Sequence, residues 1–474
     1  MSAIGEAGEA PLDVVGDPLA GAGDRNRAAA RMGAVTLLSR GSGFVRVLVV
    51  AAVLGATYLG NTYQSANSVP TVLFELVVAG ALQAVLVPVL ISESDRRRQD
   101  EAASAVLGAT TAALAALGVL AMVAAPLVAR VLFAAVDDPV IRDQQIHLGT
   151  VLLWCFLPQI VFYGISLVGT STLHARGRFS LPAFAPFVNN VVVIGVYLLF
   201  AWQRGGAAPS LDLTSGEVLL LGIGTTLGVV AFCALPMFGA RRIGVDLRWR
   251  WQPRHPAVRR VVRDGSWAGA FMASSQVVLL GVLVLANSVE GGVIVQQLAY
   301  VCFLLPISIL VIPVITTAFP KLSGDAARGD WSEYRREVVR TSRIVLAASV
   351  LSAVVLALLR HPLAQVVSLG NASVATDQVA VAIAGFAVGL PGFAAVLLLT
   401  RASYARRETR SPALVAGAVA VVALVAMAVT ASQAPTDVRI GAIGVAHGAA
   451  WTLGALVLAT ALLADLRRQR KAVT

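Results

Sequence analysis

Two apolar runs near the start of this chain, residues 33–57 and 63–91, are each long enough to cross a bilayer, whose hydrocarbon core takes about 20 helical residues. Ten more follow at 103–133, 146–173, 182–202, 217–238, 265–288, 292–320, 342–360, 378–400, 411–431 and 440–464. Lipid offers no partners to backbone N–H and C=O groups, so segments of this length must cross as helices. The expected fold is therefore an all-α polytopic membrane protein with about 12 transmembrane helices. Composition agrees: 57% of the 474 residues are hydrophobic and 13% are charged, too apolar for a soluble domain.

The formal net charge of +11 would suit a nucleic-acid partner if the basic residues covered a soluble surface. They do not. Assigned to alternating sides of the twelve spans, 32 of the 37 Lys and Arg fall on one side, and only Arg130, Arg142, Arg204, Arg360 and Arg439 on the other. The rich side is expected in the cytoplasm, with both termini, and nucleic acid is excluded as a partner. The first thirty residues are rich in Gly, Ala and acidic groups and lack an apolar core, which predicts a disordered tail without a cleavable signal. Lys occurs only at 321 and 471 among many Arg, a bias that suggests a GC-rich bacterial genome and hence a bacterial plasma membrane.

An internal repeat divides the chain. Leu157-Pro158, the turn His174 to Arg178 and Pro182 are echoed by Leu390-Pro391, Tyr404 to Arg407 and Pro412, while Pro70 and Pro88 are echoed by Pro306 and Pro320. The offset is about 230 residues, the signature of two parallel repeats. The expected layout is a tail at 1–30, an N-lobe of helices 1–6 at 31–238, a basic cytoplasmic linker at 239–264, a C-lobe of helices 7–12 at 265–464 and a basic tail at 465–474. Two pseudo-symmetric six-helix lobes around a central cavity rock to give alternating access.

Ionisable groups inside the spans are the next constraint. Arg40 and Arg46 lie in the first run and Glu75, after Pro70, in the second. A charge at bilayer depth costs at least about 2.5 kcal/mol, so such groups face water-filled space or a bound species. Gln64, Ser68, Thr71 and Glu75 share one helical face, as do Gln159, Tyr163, Ser166 and Thr170. Ser39, Ser42, Gly43 and Arg46 share another, and Ser274, Ser275, Gln276, Gln296, Gln297 and Tyr300 add polar groups farther on. Two readings stay open for these stripes: hydrogen-bond glue between helices, or the lining of a large, mostly uncharged cavity. Arg40 sits near a span end and is also explained by snorkelling. For Arg46 and Glu75 a static ion pair competes with a pathway role, which is favoured because buried pairs are costly.

Other chemistry is not supported. No phosphate-binding Gly-rich loop with its Lys is present, so ATP hydrolysis is not expected. Cys155, Cys233 and Cys302 lie in apolar runs without metal-ligand spacing, and His174 and His447 are single histidines read as structural. No cofactor or metal is expected, nor any catalytic residue.

Ser39-Arg-Gly-Ser-Gly-Phe-Val-Arg46, Leu54-Gly-Ala56, Ser65-Ala-Asn67, Val69-Pro70, Gly80-Ala81 and Val87-Pro-Val89 resemble the opening of the MurJ (MviN) lipid II flippases, of the multidrug/oligosaccharidyl-lipid/polysaccharide exporter superfamily. Leu157 to Ile160, Tyr163-Gly164, Leu173 to Phe179, Pro186 to Asn190, Leu305-Pro306, Phe319 to Ser323 and Tyr404-Ala405 extend the likeness over nearly the whole chain beyond residue 30. The resemblance implies a transporter that moves an undecaprenyl-pyrophosphate-linked glycopeptide to the outer leaflet for cell-wall synthesis. It implies membrane lipids and cell-wall synthesis enzymes as partners. Arg46 and Arg40 match the family's first-helix arginines and are expected to contact the head group, since Arg meets phosphate oxygens with a two-pronged fork. Ser39, Asn67, Gln64 and Thr71 complete the expected binding set. Glu75 and Pro70 are expected to gate or couple, and Gln159, Tyr163, Gln276, Gln297 and Tyr300 to line the cavity.

Departures from the family pattern are also legible. Val47 and Asn61 stand where acidic residues are usual, Thr71 to Glu75 replaces an arginine pair, and Tyr300 to Cys302 replaces an eighth-helix arginine. Many relatives have fourteen spans against the twelve read here. Three alternatives remain: a cation-coupled multidrug exporter using Glu75, a flippase for another polyprenyl-linked glycan, and a scaffold recruiting wall enzymes through residues 241–263.

Overall fold

The structure, a computed structural model, describes residues 22–76, 80–92, 95–264 and 266–473. Among them every regular element is helical. Chain contacts divide the molecule into two compact units, Pro11–Met272 and Ala273–Thr474.

The first unit contains α1 (Ala22–Leu54), α2 (Tyr58–Phe74), α3 (Gly80–Ser92), α4 (Arg96–Val123), α5 (Ala125–Leu132), α6 (Pro139–Phe156), α7 (Gln159–Ala175), α8 (Ser180–Arg204), α9 (Ser215–Arg242) and α10 (Pro256–Asp264). Helix α11 (Ser266–Ala286) carries the chain into the second unit, built from α12 (Gly292–Pro306), α13 (Ile312–Arg328), α14 (Trp331–Leu358), α15 (Arg360–Val367), α16 (Thr376–Ala387), α17 (Leu390–Ala405), α18 (Arg410–Gln433) and α19 (Arg439–Val473). Among the described residues nine helical stretches are long and apolar enough to cross a membrane, or ten when Gly370–Ala387 and Leu390–Ala405, bent by 44°, count as one broken span. The other two expected spans fall on α2 with α3, separated by residues 77–79 outside the described set, and on α11, where the apolar stretch Met272–Ala286 is shorter.

Helix α1 starts at Ala22, so residues 22–30, expected in the tail, already belong to the first helix, while 1–21 lie outside the described residues. Likewise α19 runs on through most of the expected basic tail.

Local chemistry sets the helix ends. Gly55, at φ 72°, turns the chain after α1, and the Thr57 hydroxyl then accepts from the Gly60 N–H at 3.2 Å to start α2. Thr214 and Glu217 form a reciprocal capping box on α9, and Glu217 also binds Arg204 at 3.1 Å, which closes the α8–α9 loop. Pro158 separates α6 from α7, and Pro391 opens α17.

The repeat is visible in the backbone. After α7, the Gly177 N–H donates to His174 O at 2.9 Å and the Arg178 N–H to Leu173 O at 2.8 Å. After α17, 230 residues on, Arg407 donates to Tyr404 O at 2.9 Å and Glu408 to Ser403 O at 3.0 Å. Both ends are the same left-handed cap, filled by Gly177 at φ 68° in one unit and by Arg407 at φ 60° in the other. The mid-helix prolines correspond too: Glu75 and Leu76 adopt a wide π-type turn beyond Pro70, as Ile307–Val311 does beyond Pro306.

The second unit is fastened by close backbone approach and aromatic packing. A Cβ on Gly389 would stand 2.6 Å from the Gly448 Cα, one on Gly392 equally close to the Thr452 Cα, and Gly385 meets the backbone of Gly441 still more tightly. Beside this seam of α16, α17 and α19, Tyr300 packs against Phe303, Phe386 and His447, with ring centroids 5.3, 5.9 and 6.5 Å away. The Trp451 indole N–H donates to His447 Nε2 at 2.9 Å, which accounts for both buried polar groups. The free thiol of Cys302 is buried as well, as is that of Cys233 in the first unit.

Candidate polar site in the first unit

Four side-chain relays cross the interior of the first unit, and hydrogen-bond counting fixes the direction of each. The Thr225 hydroxyl donates to Leu221 O at 2.7 Å, so in its 2.5 Å contact with Tyr63 it must accept. Tyr63 Oη then accepts from Tyr197 at 3.1 Å, giving Tyr197 to Tyr63 to Thr225 to backbone across α8, α2 and α9. In the second relay Thr226 donates to Cys155 O at 2.7 Å and accepts from Gln159 Nε2 at 2.8 Å. Gln159 Oε1 accepts from Tyr163 at 3.3 Å, and the Tyr163 hydroxyl is hydrogen-bonded to Thr71. This relay links α2, α7, α9 and α6.

Two shorter relays flank them. Gln145 Nε2 donates to Thr62 Oγ1 at 3.0 Å and to Tyr58 O at 3.3 Å. Asn190 Nδ2 donates to Ser42 Oγ at 2.9 Å, and Ser42 donates to Ser39 O at 2.8 Å, tying α8 to α1. Every relay ends on a helix carbonyl.

Arg46 is half-buried on α1 and lies within electrostatic range of the Tyr63, Tyr163 and Tyr197 hydroxyls. Among the described residues Arg46 makes no ion pair and no side-chain hydrogen bond, so the static pair with Glu75 is not present. Glu75 caps the end of α2, is half-buried, and lies within electrostatic range of Tyr163. One cation, one carboxylate and a row of hydroxyl and amide groups therefore converge inside a single unit. Such an array can bind a doubly charged phosphate ester through the guanidinium and the hydroxyl groups.

The expected residues distribute unevenly. Arg46, Thr71, Glu75, Gln159 and Tyr163 come together here. Gln64 and Pro70 are buried on α2, and Asn67 is half-buried there. Ser39 is buried on α1 with its carbonyl receiving Ser42, whereas Arg40 is exposed. Gln276 and Tyr300, with Gln297, belong to the second unit. Gln159 is fully buried, and Tyr300 is enclosed by aromatic rings, so neither borders open space in this conformation. Tyr63, Tyr197, Thr225, Thr226 and Gln145 were not singled out by sequence. Tyr63 adjoins the Gln64 stripe, and Thr225-Thr226 interrupts an apolar run, but neither signal names a partner.

Comparison with known proteins gives concordant results. Residues 50–473 match the family model described as lipid II flippase MurJ. The chain is 27% identical over 405 residues to "Lipid II flippase MurJ" of Burkholderia cenocepacia, covering 84% of this chain and 76% of that one. It is 26% identical over 388 residues to "Probable lipid II flippase MurJ" of Rhizobium tropici, covering 80% and 71%. Among solved structures it is similar to a lipid II flippase MurJ in an inward closed conformation, with a TM-score of 0.75 at 19% identity over 92% of this chain and 89% of that one. An inward-facing multidrug resistance MATE family transporter shares the fold with a TM-score of 0.72 at 14% identity over 93% and 96%.

Proposed function

Since this chain belongs to the lipid II flippase MurJ family, we propose that it carries lipid II, the polyprenyl-pyrophosphate-linked glycopeptide of peptidoglycan synthesis, from the cytoplasmic to the outer leaflet. It is a transporter, not an enzyme, and a multi-pass protein of the bacterial inner membrane. Both termini lie in the cytoplasm on the distribution of Lys and Arg.

The observation that carries the reading is Arg46, within electrostatic range of three tyrosine hydroxyls and without an ion-pair partner among the described residues. An uncompensated guanidinium inside the membrane is expensive. A pyrophosphate supplies the compensation, and the energy returned favours the loaded state. Thr71, Gln64, Asn67 and Ser39 lie along the same two helices and serve the head group. Arg40, exposed nearer the start of α1, makes first contact with it. Glu75 repels pyrophosphate when charged, so it acts as a gate, with the wide turn after Pro70 as its hinge. Gln159, Tyr163, Gln276, Gln297 and Tyr300 border the path in states other than the one described. Cell-wall synthesis enzymes are the partners this role calls for, and co-purification under mild crosslinking tests that.

The test is leaflet accessibility of labelled lipid II in vesicles holding the wild type or Arg46→Ala. The variant is expected to reach the membrane at normal level and to lose transport. Wild-type-like transport by Arg46→Ala overturns the assignment of Arg46, and no transport by the wild type overturns the flippase reading. A second reading, cation-coupled export of small amphiphiles, draws on Glu75 beside Tyr163 and on the fold shared with the MATE transporter. Unchanged drug resistance in cells expressing Glu75→Gln instead of wild type removes it.

A further inference from the structure

The segment after α9 is not a free loop. Ser104 on α4 receives the Arg248 N–H at 3.1 Å and donates to Asp246 O at 3.4 Å. One turn farther along α4, Gly108 is pressed against the backbone of Arg250 so closely that a Cβ there would collide with its carbonyl. Residues 243–255 thus form a strap clamped to α4 by main-chain contacts, with Val245 and Leu247 buried beneath it. The strap continues into α10, which packs Ala257 and Val261 inward against α3 and α4 and leaves Arg259 and Arg260 exposed.

What the strap shows outward is unusual for a water-facing surface. Trp249 and Trp251 are 60% and 56% exposed, and Arg250 and Arg254 alternate with them. Arg248 is paired with Asp246 at 2.7 Å. Arg250 and Arg254 have no ion-pair partner among the described residues. The clamp also fixes depth. Glu101 is the last charged residue before the apolar part of α4, and Gly108, seven residues on, lies about 10 Å farther along the helix axis. The strap is therefore held at the level where head groups meet acyl chains, the level at which indole rings settle and amphipathic segments bury.

We propose that the strap and α10 form a binding site for anionic phospholipid head groups, with Trp249 and Trp251 set among the glycerol and upper acyl groups and Arg250, Arg254, Arg259 and Arg260 on the phosphates. Charge complementarity favours an anionic lipid over a zwitterionic one, and the clamped depth favours a lipid over a soluble acidic protein.

Brominated lipids test this with the full chain in proteoliposomes. The fluorescence of Trp249 and Trp251 is isolated as the difference between the wild type and Trp249→Phe/Trp251→Phe. Dibromo-phosphatidylglycerol in phosphatidylcholine vesicles is expected to quench it about twofold more than dibromo-phosphatidylcholine at the same mole fraction. Arg250→Gln/Arg254→Gln is expected to abolish the excess while both lipids still quench. Gly108→Ala, which leaves every charge in place but lifts the strap, is expected to lower quenching by both. Equal quenching by the two lipids in the wild type overturns the head-group site, and absence of quenching overturns the depth argument and leaves a protein-facing surface. Retention of the excess in Arg250→Gln/Arg254→Gln overturns the assignment of those residues.

Discussion

The crossing of α7 with α9 in the first unit is fastened by an amide and a hydroxyl, Gln159 to Thr226; the corresponding crossing of α17 with α19 in the second brings bare backbone together, Gly389 against Gly448, and adds an Arg406–Asp465 ion pair just past the end of α17. The contrast extends along the repeat. Moving 230 residues on, Gln159 becomes Gly389 and Tyr163 becomes Phe393, while Phe156 remains aromatic as Phe386. Tyr63 meets Phe156 edge-on at 5.5 Å, and Tyr300 meets Phe386 edge-on at 5.9 Å. One scaffold is thus held in two ways. Interhelical hydrogen bonds in membranes contribute about 0.6 kcal/mol each on average, so the relays of the first unit stabilise it by only a few kcal/mol. The second unit has polar contacts of its own, Tyr334 to Ala402 O and Arg406 with Asp465, and adds small residues and rings where the first unit has its relays.

Swapping the character of the two units is the way to break this contrast. The largest effect is expected from Arg46→Lys, which keeps the charge but loses the two-pronged fork; transport should fall by about 10- to 100-fold, the worth of a charge-assisted hydrogen bond. Normal rates would mean that a point charge suffices. Next, Gly448→Ala forces a methyl group into the Gly389 backbone and should cost about 1–3 kcal/mol of stability, read as a lower melting temperature in detergent with the first-unit relays untouched. Tyr163→Phe gives the first unit the residue of the second and strands both Thr71 and Gln159; about 1–2 kcal/mol of stability and a several-fold loss of transport are expected. Phe393→Tyr, the reverse change, buries a hydroxyl and should lower stability by a similar amount without altering transport.

Smaller still is the paired cap. Gly177→Ala should destabilise by about 1 kcal/mol and Arg407→Gly should stabilise by about as much, because only one of the two left-handed positions holds a glycine. Equal and opposite shifts in melting temperature would show that the two caps are strained alike. The smallest effect concerns the caps of α4 and α14. Asp330 accepts from the Glu333 N–H at 3.0 Å and from Ser332, bonds that hold its carboxyl below the usual range. Its contribution is present above the unfolded carboxylate pKa and is lost as pH falls through the lower folded value. Asp330→Asn keeps an acceptor and should flatten the loss of melting temperature as pH falls below the ordinary carboxylate range. Asp95, capping α4 through the Arg97 N–H at 3.2 Å, is the control in the other unit.

Much of this architecture was legible in the chain itself. Apolar length located the helices, and the spacing of Pro158, Arg176, Pro391 and Arg406 exposed the repeat that the caps of α7 and α17 display in hydrogen bonds. The face shared by Thr71 and Glu75 was legible because helical period alone decides it. The relays were not, for a physical reason. Tyr63 and Thr225 are 162 residues apart and Asn190 and Ser42 are 148 apart, and periodicity tells which way a side chain points but not what waits there. Breaks within spans, such as the bend before α17, were hidden because hydropathy averages over them. The placement of Tyr300 also differs from expectation, since an amphipathic ring satisfies a polar stripe and an aromatic cluster equally well.

The direction of the relays carries one more consequence. A row of hydroxyls conducts protons only if each oxygen can pass one on and receive another, and a backbone carbonyl does neither. With Thr225 and Thr226 both discharging into such oxygens, the two tyrosine relays of the first unit are dead ends for Grotthuss-type transfer.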